Sequence, residues 1–162
     1  MVEIKKEYLV QVTVVEGRYL KGKDASGTSD PYVKIRCGNT EPQITTTKES
    51  TNSATWNQSF TFTDIKLSDL ELQLFELIFE VFDYNSFMTD ELIGSYSIGL
   101  STMHLNLNHE FYKAWLPLID VSRANEPQVS IHTHTHTHTH THTHSLYNII
   151  SLFVLCCLLF VV

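Results

Sequence analysis

The chain has 162 residues, the length of a single domain, with 43% hydrophobic residues, enough to bury one core. Eighteen acidic against eleven basic residues give a net charge of -7, which argues against non-specific nucleic-acid binding, since neutralising phosphates needs clustered Lys and Arg. Three cysteines, two of them adjacent in an apolar stretch, form no disulfide framework, and Met1 to Glu7 is charged with no apolar signal segment behind it.

Period-two alternation recurs along the first part of the chain, as in half-buried strands. Val10, Val12 and Val14 oppose Gln11 and Thr13. Val33, Ile35 and Cys37 oppose Lys34 and Arg36, and Ile44 and Thr46 oppose Thr45 and Thr47. Phe60 and Phe62 alternate with threonines, and Leu67, Leu70 and Leu74 are spaced either for a short helix or for an irregular insertion. Leu77, Phe79 and Val81 predict a buried strand, Tyr96, Ile98 and Leu100 another, and Trp115 to Ile119 a further one. Turn residues separate them about every ten positions. The pattern predicts an all-β, antiparallel sandwich.

All 29 charged residues lie between Glu3 and Glu126, so residues 1–128 read as the globular domain. Residues 129–145 are low-complexity, with seven histidines alternating with threonine from His132 to His144. Such imidazoles are potential metal ligands. A (CA) repeat also reads as His-Thr, and Gln128-Val129-Ser130 is what the splice-junction string CAG-GTA-AGT encodes. The tract therefore reads as translated intron, which would leave the last strand missing, or replaced by residues 129–135. Residues 146–162 are almost wholly apolar and predict a C-terminal helix. Its 17 residues reach the lower limit for a transmembrane helix, hence a possible single-pass tail anchor.

Two predicted loops carry more acid than a turn requires: Asp24 to Asp30, and Asp83 to Glu91. Asp, Asn, Gly and Ser serve turns by local hydrogen bonding. The same residues converging at one end of a sandwich offer the oxygen ligands that Ca²⁺ takes. There is no nucleophile elbow, Gly-rich phosphate loop or zinc-spaced Cys/His set, so the chain reads as non-enzymatic.

Asp24 to Lys34 (DASGTSDPYVK), Thr55 to Phe60 (TWNQSF) and Ile78 to Gly94 (IFEVFDYNSFMTDELIG) resemble the C2 domain, an eight-stranded calcium- and phospholipid-binding sandwich. The resemblance implies a Ca²⁺ site with Asp24 and Asp30 on its first two positions, Asp83 on the third and Asn85 on the fourth. Glu91, or Asp90 beside it, takes the fifth. Asn85 and Glu91 depart from the family's all-Asp pattern, so weaker binding with one ion fewer is expected. Phe87 and Met88 fall where the family places membrane-inserting residues. Lys34, Arg36 and Lys48 read as a solvated strand face.

Lys48 to Asn52 (KESTN), Trp56-Asn57 and His109 to Trp115 (HEFYKAW) further resemble ferlins, tail-anchored proteins with several C2 domains. The resemblance implies a module acting on anionic phospholipid at the cytosolic face of membranes, in vesicle fusion or membrane repair. The alternative is a calcium-independent sandwich that binds protein partners, within a tail-anchored adaptor.

Overall fold

The computed structural model describes residues 4–105, 110–120 and 151–161. Among the described residues, eight strands form two antiparallel four-stranded sheets, as expected for the sandwich. One sheet holds β4 (Ala54–Leu67), β1 (Lys6–Arg18), β8 (Ser151–Val161) and β7 (Glu110–Pro117), in that order. The other holds β3 (Gln43–Ile44), β2 (Pro31–Cys37), β5 (Glu76–Asp83) and β6 (Glu91–Gly99).

The alternating residues meet between the sheets. Val10, Val12 and Val14 from β1 and Phe62 from β4 face Val33, Ile35, Leu77, Phe79 and Val81 from β2 and β5, all of them buried. Trp56 closes the core near one end, its Nε1–H donating to the Thr46 carbonyl at 2.9 Å. On the outer face of β2, Arg36 donates to Glu80 at 2.8 Å.

Of the two readings of the leucine-spaced segment, the helix is the one observed. It is α1 (Asp69–Leu74), started by Ser68 and Glu71 as a reciprocal capping box. Lys5 binds Glu71 from β1's side, and its ammonium together with the cap holds the Glu71 carboxyl down at about 2. Leu100, expected in a strand, opens a second short helix, α2 (Leu100–Leu105), in which it is buried with Met103.

The C-terminal segment departs most from expectation. Where the sequence predicts an apolar helix, Ser151–Val161 forms β8. This strand lies between β1 and β7, in register from Glu7↔Val161 to Arg18↔Ser151 on one side and from Glu110↔Cys157 to Pro117↔Ser151 on the other. Without it, β1 and β7 would each present an unpaired backbone edge inside the sheet, and pairing both edges outweighs the helical preference of the run. Leu152 and Val154 enter the core. Among the described residues no helix is long and apolar enough to cross a membrane. The His-Thr tract and residues 129–135 lie outside the described residues.

Candidate functional site

The β1–β2, β3–β4 and β5–β6 loops emerge at the same end of the sandwich. The β2–β5 register sets Pro31 opposite Asp83, which brings the two acidic segments together. The first loop is a tight turn: the Lys23 and Asp24 amides donate to the Thr28 carbonyl, and the Gly27 amide donates to the Asp24 carbonyl. Gly27 has a φ of +80°, in the left-handed region glycine favours. A Cβ at Gly22 would collide with the Gly27 backbone, so this close approach requires glycine. Buried Ser29 locks the base, donating to the Lys21 carbonyl and accepting from the Lys23 amide.

Asp30 joins all three loops. Its amide donates to Asp83 Oδ1 at 2.6 Å, its carbonyl accepts from the Tyr84 amide, and its Oδ1 accepts from the Ser50 amide at 2.7 Å. Asp24, Asp30 and Asn85 line a cleft of about 360 Å³, with Tyr84, Ser86, Phe87 and Met88 forming its remaining wall. Phe87 is 98% exposed and Met88 73%, so the apolar lip of this cleft faces outward.

Asp83 adjoins the cleft and is only 1% exposed. Its Oδ2 is buried without a hydrogen-bond partner. Burial pushes the Asp83 carboxyl above its ordinary value; the Asp30 amide and the neighbouring Ser29 hydroxyl oppose this, and the charges of Asp24 and Asp30 add to it. A buried carboxylate oxygen without a donor, in the field of the Asp24 and Asp30 charges, is the kind of ligand a hard cation such as Ca²⁺ takes. Among the described residues, no three His, Cys, Asp or Glu side chains stand close enough to form a ready-made metal cage.

The residues expected at the fifth position do not line the cleft. Asp90 braces the third loop, accepting from the Tyr32 hydroxyl at 2.7 Å and from the Asn85 amide at 2.9 Å. The Tyr32 hydroxyl is in turn pushed up to about 12, first by burial and then by this bond. Glu91 faces Lys23, with Nζ and Oε2 3.7 Å apart. Tyr32, Lys23 and Ser50 went unnoticed in the sequence. Tyr32 follows the Asp30-Pro31 pair directly and Ser50 lies within the KESTN motif, whereas Lys23 left no signal there.

Antiparallel sheets that gather acidic loops at one end beneath an apolar lip define a C2 domain. The C2 domain family matches residues 8–118, and the chain belongs to it. Within that family the sequence is ferlin-like: it is 52% identical over 124 residues to Ferlin 2 of Tetrahymena thermophila, covering 76% of this chain and 7% of that protein. Synaptotagmin 1 of Drosophila melanogaster is 32% identical over 112 residues, 68% of this chain and 23% of that one. The chain thus spans a small part of the relatives it matches. A C2 domain of plant Extended Synaptotagmin 1 shares the fold at a TM-score of 0.64 and 21% identity, over 98% of this chain and 96% of that one. The calcium-bound pair of C2 domains of Extended-Synaptotagmin 2 does so at 0.64 and 20%, over 98% and 48%.

Proposed function

We propose that this chain is a calcium-dependent phospholipid-binding module, working at the cytosolic face of membranes within a ferlin-like protein of vesicle fusion or membrane repair. The observation that carries the reading is the buried, donorless Asp83 Oδ2 beside Asp24 and Asp30. Asp24, Asp30 and Asp83 would hold Ca²⁺ with the amide oxygen of Asn85. The ion would neutralise the acidic end and offer open coordination positions to lipid phosphate. The β-sheets need not move, because Asp83 is already fixed at the end of β5 and the other ligands sit on loops braced by Ser29, Ser50 and Asp90.

Phe87 and Met88 would then enter the headgroup region. Their exposure leaves apolar area to be removed from water on contact, a gain separate from ion coordination. The chain acts by binding and carries out no reaction. Flotation with phosphatidylserine-containing vesicles tests the proposal: the chain should float with Ca²⁺ and stay behind in chelator. No flotation in either condition would favour the calcium-independent protein-interaction sandwich, and equal flotation in both would show lipid binding without calcium.

A further inference from the structure

The β5–β6 register pairs Asp83 directly with Glu91. Directly opposed residues of an antiparallel pair have Cβ atoms about 5 Å apart. Glu91 is thus anchored within reach of the Asp83 carboxylate, yet its own carboxylate meets Lys23 instead. The Lys23 position is fixed from the other side. Its amide donates both to the Thr28 carbonyl at 2.9 Å and to Ser29 Oγ at 3.0 Å, in the turn that presents Asp24. The Lys23 side chain is 15% exposed against 54% for Glu91, so the ammonium is the better held partner and the carboxylate the freer one.

We propose that Lys23 competes with the cation for Glu91. The ammonium occupies the Glu91 carboxylate, which the strand register sets opposite Asp83. When a cation is held at Asp83, Glu91 leaves Lys23 for it, and the Lys23 ammonium is released at the rim of the cleft. The threshold for Ca²⁺ is then set by a residue that is not itself a ligand, and a positive group becomes free on the face turned to anionic headgroups. This rests on the cation reading of the cleft, and it assigns to Lys23 a regulatory role at that site.

Calorimetric titration of the full chain with CaCl₂, without lipid, tests the competition in four forms: the unaltered chain, Lys23→Met, Glu91→Gln and the double variant. Met keeps the apolar stem of Lys and removes only its charge. Lys23→Met should bind Ca²⁺ roughly two- to fivefold more tightly where Glu91 is present, a typical scale for a partly exposed pair. It should change affinity much less in the Glu91→Gln background. An equal effect in both backgrounds would mean that Lys23 acts only through its field, and would overturn the competition while leaving the cation site standing. Weaker binding by Lys23→Met would do the same. Absence of Ca²⁺ binding in all four forms would overturn both. Lys23→Gln run in parallel, with a thermal melt of each variant, separates these outcomes from misfolding.

Discussion

Asp83 and Asp30, 53 residues apart in the chain, meet through a backbone amide that donates to a buried carboxylate at 2.6 Å. That single bond joins β5 to the first loop and leaves the second carboxylate oxygen of Asp83 without a donor. Because the folded carboxyl titrates above its ordinary value of 3.8, the folded chain holds this proton more tightly than the unfolded one. The contribution of Asp83 to stability is therefore fully present below 3.8 and is lost as pH rises through the raised value. Once ionised, the group costs stability unless a cation neutralises it.

Asp83→Asn should accordingly stabilise the chain in chelator while removing its response to Ca²⁺. Relieving an unsatisfied buried charge is worth about 1 kcal/mol or more, a rise of roughly 3–5 °C in melting temperature. Thermal melts at pH 7 with chelator and with Ca²⁺ check both halves. A melting temperature below that of the unaltered chain would show that Asp83 is structural.

Asn85→Asp should tighten Ca²⁺ binding, since it restores a charge to the cleft wall without touching the backbone amide that Asp90 accepts. Calorimetry should give an affinity higher by roughly tenfold, because charge count governs such sites. Unchanged or weaker binding would remove Asn85 from the ligand set.

Phe87→Ala should separate ion binding from membrane binding. The ring is almost fully exposed, so no core contact is lost. Vesicle affinity should fall about tenfold or more, the scale of burying one Phe side chain at about 1.5–3 kcal/mol. The Ca²⁺ titration in the absence of lipid should be unchanged. A fall in both would show that Phe87 shapes the loop itself.

Val154→Asp tests the unexpected strand. Val154 is 1% exposed and pairs with both Val14 and Ala114. A charge there should cost at least about 3 kcal/mol, a fall of roughly 6 °C or more in melting temperature. If circular dichroism melts are unchanged, β8 is not part of the folded sheet.

What the sequence disclosed follows from which interactions are local. Val10 to Val14 and Val33 to Cys37 have one wet and one dry face, so their period reports the strand directly. Leu152 to Val161 is apolar at every position and carries no period. Its length and hydropathy suggested a helix, and only the place between β1 and β7 selects a strand. Leu100 continues the alternation of Tyr96 and Ile98, yet the chain turns at Gly99 into α2. At the site, the loops and spacing of Asp24, Asp30, Asp83 and Asn85 were legible; Asp24, Asp30 and Asn85 line one cleft, and Asp83 accepts from the Asp30 amide beside it. The directions of Asp90 and Glu91 were not, because they are set by Tyr32 and Lys23 from distant parts of the chain.

The most direct measurement is a residue-resolved Ca²⁺ titration by amide NMR of the full chain. The Asp30 amide, which donates to Asp83, and the Asn85 amide, which donates to Asp90, report on the two walls of the cleft. Both should shift saturably with Ca²⁺, together with Asp24 and Tyr84, while Gly38 and Phe75 at the opposite end of the sandwich stay in place. Shifts that never saturate, or that spread evenly over both ends, would contradict a Ca²⁺ site built on Asp24, Asp30 and Asp83.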